Sequence, residues 1–185
     1  MLTRTVEFEL KDGRKGLIRN ANDGDIDGML EYLRLSAAES DFIIRYPEEC
    51  DRFTWENEKR YVDECNDSEN GAMLICTVDG RFVGNCEIQW GGYIKTRHRA
   101  EVAIAILKEY WGLGIGSAMF KELIRIAEND PEITQIELDF IEGNTRARAL
   151  YEKMGFMITG VKPDFIRLKD GSFLNAYSMI RKIER

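Results

Sequence analysis

Hydrophobic positions along this chain follow two spacings, which predict two kinds of element. Apolar residues three and four positions apart predict amphipathic helices, whereas alternating or short continuous apolar runs bounded by turn residues predict strands. The predicted helices cover Asp25–Ala38, Trp55–Cys65, Ile115–Asn129 and Thr145–Met154. The predicted strands cover Thr5–Leu10, Lys15–Arg19, Ala72–Val78, Arg81–Trp90, Ala100–Leu107, Gln135–Ile141, Phe156–Thr159, Phe165–Leu168 and Phe173–Ile180. Strands interrupted by single helices indicate a mixed α/β sheet.

Dipeptides of the Asp-Gly type lie between several of the predicted strands. Asp12-Gly13, Asp79-Gly80 and Asp170-Gly171 are typical of tight hairpin turns, so the strands on either side are expected to pair antiparallel. No internal repeat, low-complexity tract or proline-rich linker divides the chain. We therefore expect a single domain over residues 1–185.

The composition limits the classes of function. The chain has 185 residues and a formal net charge of -7. This acidic balance disfavours a general nucleic-acid or anionic-membrane binder, so neither partner is expected. The start lacks a secretory signal and no apolar run approaches the roughly 20 residues that span a bilayer, which indicates a cytoplasmic protein. Four cysteines without CxxC spacing and a single histidine, His98, argue against a metal site.

A glycine-rich turn connects the apolar strand Ala100–Leu107 to the following helix. The turn and the first helical residues are Trp111, Gly112, Leu113, Gly114, Ile115, Gly116 and Ser117. Such a turn offers free backbone N–H groups and the positive end of a helix dipole, which together favour phosphate binding. The spacing excludes a dinucleotide fingerprint, which needs a further glycine at position 117, and a P-loop, which needs lysine after its last glycine. An ordinary tight turn remains the alternative.

Two segments carry a family resemblance. The turn is similar to the Arg/Gln-x-x-Gly-x-Gly/Ala signature of the GNAT superfamily, in which Gly114 and Gly116 match and Trp111 replaces Arg or Gln. A second block of that family reads Asn-x-x-Ala-x-x-x-Tyr-x-x-x-Gly-Phe. The residues that match it are Asn144, Ala147, Tyr151, Gly155 and Phe156. The resemblance extends from about Gly16 to Lys182.

The resemblance implies an acyl-coenzyme A-dependent N-acetyltransferase. The GNAT fold would be a central, mixed, mostly antiparallel twisted sheet of about six or seven strands with about four flanking helices, plus a possible N-terminal hairpin strand. The implied reaction is direct attack on acetyl-coenzyme A by a primary amine of a small molecule, a peptide N-terminus or a lysine. A non-catalytic acyl-coenzyme A-binding or sensor module of the same fold remains the alternative. A homodimer is one possible assembly.

The chemistry of amide formation requires two proton transfers. An amine with a pKa near ~10.4 is almost fully protonated at pH 7, so a base must accept its proton, and the departing thiolate benefits from an acid. By resemblance to the family, Tyr151 is the acid and Glu101, at the start of a strand, is the base. Helical spacing alone is also typical of a core tyrosine at position 151. Glu101 is otherwise a solvated carboxylate at a strand end.

The strand Ala100–Leu107 supplies the remaining coenzyme contacts that the resemblance implies. Its backbone at Ile104, Ile106 and Leu107 is expected to pair with pantetheine amides and to supply the oxyanion donor. Asn144 and Ala147 would line the same arm of the coenzyme. Asn144 is equally suited to cap the N-terminus of the following helix.

Two further segments are candidates for acceptor binding. Glu137 and Asp139 alternate with apolar residues on the next strand, so both carboxylates share one face and would hold an ammonium or face water. Phe42 and Tyr46 belong to the loop Ser40–Thr54, which is rich in bulky residues. That loop would form either a wall of the substrate pocket or a packed connection.

Overall fold

One eight-stranded sheet forms the centre of the computed structural model, which describes residues 1–184. Its strands are β1 (Val6–Glu9), β2 (Lys15–Arg19), β3 (Gly71–Val78), β4 (Arg81–Trp90), β5 (Arg99–Ile106), β6 (Gln135–Ile141), β7 (Met157–Arg167) and β8 (Phe173–Lys182). Their order across the sheet is β1-β2-β3-β4-β5-β6-β8-β7. Neighbouring strands are antiparallel except β5 and β6. The predicted mixed sheet is confirmed, with slightly more strands than expected.

Strand β7 differs from its prediction. The strand predicted to begin at Phe156–Thr159 and the predicted hairpin segment Phe165–Leu168 are joined in one long strand, which begins at Met157 and ends at Arg167. The register of β7 against β8 shifts between Lys162 and Ile166, close to Pro163. Such irregular pairing interrupts the alternation of side chains, so the sequence pattern divides a strand that the backbone keeps continuous.

Among the described residues, four α-helices flank the sheet, as predicted. They are α1 (Ile26–Glu39), α2 (Trp55–Asp67), α3 (Ile115–Asn129) and α4 (Thr145–Lys153). A side-chain oxygen caps two of them, because Thr54 accepts from the amide of Asn57 and Asn144 accepts from the amide of Ala147. Within residues 1–184, none of the helices combines the length and the apolar character needed to cross a bilayer.

Helices α1 and α2 cover one face of the sheet, and α3 covers the other. Strand β4 shows this because successive side chains of a strand point to opposite faces. Asn85 accepts a hydrogen bond from Tyr32 of α1, whereas the next residue, Cys86, points to the face against which α3 packs. Helix α4 lies beside α3, where the rings of Phe120 and Tyr151 are 5.3 Å apart.

Strands β5 and β6, the one parallel pair, separate soon after they begin. Their register covers three residue pairs, the last being Glu101 with Glu137. Beyond that point β5 continues to Ile106 and β6 to Ile141 without further pairing. A gap therefore opens between the carboxyl ends of two parallel strands, which is a common location for ligands in α/β proteins.

Candidate active site

A cavity of about 920 Å³ occupies the gap between β5 and β6. The glycine turn before α3 borders one part of it, and the loop after α1 borders another. The predicted site residues that line it are Ile104, Ile106, Trp111, Gly112, Gly114, Ile115, Gly116, Ser117, Asp139, Asn144, Ala147, Tyr151 and Phe42. The predicted site residues outside its lining are Glu101, Leu107, Leu113, Glu137 and Tyr46. Most of the coenzyme candidates therefore converge, whereas the acceptor candidates are divided.

The glycine turn presents a row of free backbone donors. Gly112 and Gly114 have φ angles of 81° and 99°, a left-handed conformation that side chains rarely adopt. The amides of residues 112–117 donate to no acceptor within the part of the chain that the structure describes. Because unpaired amides at a helix N-terminus attract anions, this turn has the geometry that phosphate binding requires.

The backbone of β5 is divided between β4 and the cavity. The amide of Leu107 donates to the carbonyl of Val83 in β4 at 2.9 Å. Backbone groups of successive residues in a strand face opposite sides, so those of Ile104 and Ile106 face the gap left by β6. The expectation that Leu107 offers a backbone donor to the coenzyme is therefore corrected, because β4 already uses that amide.

Trp111, the residue that departs from the family pattern, is held in place from two sides. Its indole Nε1 donates a hydrogen bond to the carbonyl of Ile106 at 2.7 Å. The guanidinium carbon of Arg146, in the first turn of α4, lies 5.0 Å from the centre of the indole ring. The tryptophan thus links the end of β5 to a cation from α4.

Asn144 uses its two side-chain atoms differently. Its Oδ1 accepts from the amide of Ala147 at 3.1 Å and so caps α4. Its Nδ2 donates to no acceptor among residues 1–184, and the residue lines the cavity. Capping and ligand contact, the two alternatives from the sequence, are compatible because they need different atoms.

Tyr151 lies at the cavity in an aromatic environment. The rings of Phe120, Phe140 and Phe156 lie 5.3, 6.1 and 6.3 Å from its own. Burial among these apolar groups raises the pKa of the Tyr151 hydroxyl to about 12. The hydroxyl forms no hydrogen bond with residues 1–184, although the residue lines the cavity. It is therefore a neutral donor at pH 7.

The carboxylates of β6 are already paired. Arg99 binds Glu137 through two nitrogens and holds the pKa of Glu137 below its usual range. Asp139 lines the cavity but accepts from the hydroxyl of Ser178 at 2.6 Å and from the ammonium of Lys162. An acceptor ammonium would have to compete with these cations at either position.

The loop after α1 contributes one of its two candidates. Phe42 lines the cavity together with its neighbours Ile43 and Ile44. Tyr46 lies outside, where its hydroxyl accepts from the backbone amide of Lys169 at 3.1 Å and its ring lies 4.2 Å from the Lys169 ammonium. Tyr46 therefore attaches the loop to the β7–β8 turn, and Phe42 remains at the pocket wall.

A group of polar side chains that the sequence patterns did not indicate lies between α1, α2 and β4. We call it the polar cluster; its residues are Tyr32, Arg45, Glu58, Asn85 and Glu87. The Tyr32 hydroxyl lies 2.7 Å from Oδ1 of Asn85 and 3.0 Å from the carbonyl oxygen of Ala105. The Nδ2 of Asn85 donates to Glu87 at 3.2 Å. A continuous chain of hydrogen bonds thus connects α1 to a carboxylate on β4.

Charge in the polar cluster is incompletely paired. Burial raises the pKa of Glu58, the guanidinium of Arg45 opposes that rise, and the charge of Glu87 adds to it. Arg45 donates to the hydroxyl of Ser36 at 3.0 Å, but its buried Nε has no partner in the described chain.

Residues 1–184 contain no group of three or more side chains placed to bind a metal.

The polar cluster lies beside two small cavity residues of β5, although none of its own residues lines the cavity. On β5, Ala103 is opposite Glu87 and Ala105 is opposite Asn85, and both alanines line the cavity. Glu101 is exposed at the far end of the same strand. The alternation of Asn85 with Glu87 is visible in the sequence, but the register that places both beside small cavity residues is not.

The comparisons with known proteins agree with this geometry. The model of the Acetyltransferase (GNAT) family matches residues 37–156. An N-alpha-acetyltransferase of Saccharolobus solfataricus is 31% identical over 187 aligned positions, which cover 96% of this chain and 100% of that protein. An L-amino acid N-acetyltransferase of Escherichia coli is 30% identical over 109 residues, or 59% of this chain and 67% of that protein.

A solved structure gives the same result for the fold. An acetyltransferase of the GNAT family from Streptococcus pneumoniae superimposes with a TM-score of 0.84 and 27% identity, covering 91% of this chain and 99% of that one. The family model covers both the glycine turn and the Asn144–Phe156 block. The chain therefore belongs to the GNAT family of acetyltransferases.

Proposed function

We propose that this protein transfers the acetyl group of acetyl-coenzyme A to the α-amino group of an amino acid or of a peptide N-terminus. The observation that carries the proposal is the single cavity in which the free amides of the glycine turn and the Tyr151 hydroxyl meet. The names of the two relatives above, an L-amino acid and an N-alpha acetyltransferase, support an α-amine over a lysine side chain.

The coenzyme follows the cavity from the glycine turn toward the loop after α1. Its diphosphate binds the amides of residues 112–117, with Gly114 allowing close approach of the backbone. Its pantetheine arm pairs with the backbone of Ile104 and with the amide of Ile106, which β6 leaves unpaired; the carbonyl of Ile106 is bound by Trp111. Asn144 and Ala147 line the same arm. Solved GNAT structures with acetyl-coenzyme A and coenzyme A support this choice of ligand.

The reaction itself requires a proton at the sulfur. The amine nitrogen attacks the thioester carbonyl carbon, the carbon–sulfur bond breaks, and the sulfur leaves with the electron pair. Tyr151 donates its hydroxyl proton to that thiolate and recovers a proton from solvent. Apolar surroundings raise the pKa of a thiol as well as that of Tyr151, so the donor and the acceptor remain matched. A backbone amide of β5 donates to the carbonyl oxygen as it becomes negative.

The base that accepts the amine proton belongs to the polar cluster in this proposal. Glu87 is half-buried, lies opposite the cavity residue Ala103, and is connected through Asn85 to Tyr32. Neither Glu87 nor Glu101 lines the cavity, but Glu101 is exposed at the far end of β5 and forms no part of this hydrogen-bonded chain. Glu87 therefore acts through a water molecule, and Glu101 contributes little. The carboxylates of the polar cluster would also attract the ammonium form of the acceptor.

The test is release of coenzyme A thiol from acetyl-coenzyme A with a panel of amines. The panel contains free L-amino acids, peptides with a free N-terminus, the same peptides with an acetylated N-terminus and an internal lysine, and a polyamine. We expect turnover with the first two classes and little with the others. Turnover restricted to the blocked lysine peptides would contradict the α-amine. Coenzyme binding without thiol release from any amine would favour the non-catalytic sensor.

The setting proposed for the protein is the cytoplasm. The four cysteines, Cys50, Cys65, Cys76 and Cys86, are free thiols. Burial raises the pKa of Cys76 to about 12, so this thiol stays protonated and unreactive at neutral pH. Unpaired thiols fit a reducing compartment, where disulfides are uncommon.

A further inference from the structure

Two cations approach the glycine turn from elements outside it. Lys11, in the β1–β2 turn, donates its backbone amide to the carbonyl of Leu113 at 3.0 Å. The Cγ of Lys11 would lie 4.0 Å from a Cβ placed on Gly114. A nitrogen of the Arg146 guanidinium would lie 3.8 Å from a Cβ placed on Gly112. Both Lys11 and Arg146 line the cavity.

Neither Lys11 nor Arg146 has a carboxylate partner in the described chain, whereas the nearest arginine on each element has one. Arg14, on the same hairpin as Lys11, pairs with Asp12 at 2.8 Å. Arg148, two residues after Arg146 on α4, pairs with Glu152 at 2.8 Å. In a protein of net charge -7, two unpaired cations beside unpaired amides mark a place where a bound anion supplies the missing charge.

The tryptophan explains how Arg146 is aimed. Its ring is fixed by the hydrogen bond from Nε1 to the carbonyl of Ile106, and the guanidinium lies over its face. Stacking on an aromatic ring uses the face of a guanidinium and leaves the N–H groups at its edge free to bind phosphate. Trp111 therefore acts as a positioning residue for Arg146.

We propose that Lys11 and Arg146 bind the diphosphate of coenzyme A, Lys11 from beside Gly114 and Arg146 from beside Gly112. Arg146, braced on Trp111, supplies a polar cationic group in place of the Arg or Gln that the family pattern has at position 111. Lys11 makes the N-terminal hairpin part of the coenzyme site, because its backbone is bonded to the turn. This inference rests on the proposed use of coenzyme A and assigns two side chains to it.

The test compares ligands that differ in their phosphates. Calorimetry measures Kd for coenzyme A and for dephospho-coenzyme A, which lacks the 3′-phosphate but keeps the diphosphate. Lys11→Met and Arg146→Met should each raise both Kd values about tenfold, the loss expected for one hydrogen bond to a charged group. The matched controls Lys15→Met and Arg148→Met should leave both Kd values within twofold of the wild type.

S-acetylpantetheine, which has no phosphate, supplies the second comparison. Its kcat/KM with an accepted amine should be the same for the wild type, Lys11→Met and Arg146→Met. Equal coenzyme binding by variants and wild type would overturn the proposal, as would an equal loss with S-acetylpantetheine. A loss with coenzyme A but not with dephospho-coenzyme A would move the contact to the 3′-phosphate. A wild type that binds no coenzyme A would refute the proposed function instead.

The role of Trp111 is tested by a double-mutant cycle. Trp111→Leu removes the ring that supports Arg146, so it should weaken coenzyme A binding about as much as Arg146→Met does. The double variant should then be no weaker than either single variant, because both changes remove the same contact. Fully additive losses would show that Trp111 and Arg146 act separately and would overturn the bracing role.

Discussion

The substitution Tyr151→Phe removes one hydroxyl from the cavity and leaves the ring packing in place. The aromatic contacts of Tyr151 with Phe120, Phe140 and Phe156 involve the ring alone. The hydroxyl has no hydrogen-bond partner within residues 1–184, so its removal leaves no protein group unsatisfied. We therefore expect the midpoint of thermal unfolding and the Kd for acetyl-coenzyme A to stay close to the wild-type values.

The expected loss lies in kcat. General acid catalysis contributes about 10² to 10⁴ in rate, which corresponds to roughly 3 to 5.5 kcal/mol of transition-state stabilisation. A hydroxyl that donates a hydrogen bond without transferring its proton would give the lower value. Because burial raises the pKa of Tyr151 to about 12, the neutral donor persists to high pH. The wild-type kcat should show no decline near pH 10 that the Phe variant lacks.

The assay is stopped-flow or continuous thiol detection at saturating amine, with Tyr177→Phe as the control. Tyr177 is a half-buried tyrosine stacked on Phe140 at 5.4 Å, and it does not line the cavity. Its variant should retain wild-type kcat. A Tyr151→Phe enzyme with kcat within twofold of wild type would refute the acid role. A decline in wild-type kcat near pH 10 that disappears in the variant would refute the raised pKa.

Three further predictions concern the turn and the carboxylates. Gly114→Val and Gly80→Val place a side chain at a positive φ, so unfolding measurements should show both variants destabilised, while only Gly114→Val should raise the Kd for coenzyme A. Glu87→Gln should lower kcat/KM for the amine below pH 8 more than Glu101→Gln does, and the reverse order in initial rates would return the base to Glu101. Arg99 lowers the pKa of Glu137, so their ion pair stabilises the fold fully above about pH 4.5, the ordinary pKa of this carboxyl. That stabilisation disappears as the pH falls through the lowered pKa. The melting difference between wild type and Glu137→Gln should disappear likewise, and a constant difference would exclude the ion pair as its source.

Most elements could be predicted from the sequence because their signals are local. The apolar stripe of α3 follows helical spacing, and Met119, Phe120 and Leu123 are fully buried as that spacing predicts. The glycine turn and the cap at Asn144 are also set by neighbouring residues. The exact course of β7 could not be predicted, since its pairing with β8 shifts register and its side chains are mostly exposed.

In the site, as in the fold, the features set by neighbouring residues could be predicted, and those set by distant residues could not. Trp111 to Ser117 are contiguous, so their backbone geometry follows from a short pattern. The expectation for Leu107 was wrong because strand composition does not reveal which amides face β4 and which face the cavity. The polar cluster could not be predicted because Tyr32, Glu58 and Glu87 come from three separate elements, and only the folded chain brings them together.

The departure at position 111 illustrates how a motif can change while its chemistry is kept. A tryptophan cannot replace the hydrogen bonds that Arg or Gln would offer there, so their loss should weaken diphosphate binding if nothing else changed. In this chain the tryptophan instead provides a ring for Arg146, and the β1–β2 turn brings Lys11 close to Gly114. These cations come from positions 11 and 146. A motif that covers only residues 111–116 therefore shows that the usual side chain is missing, but it does not show the two side chains that replace it.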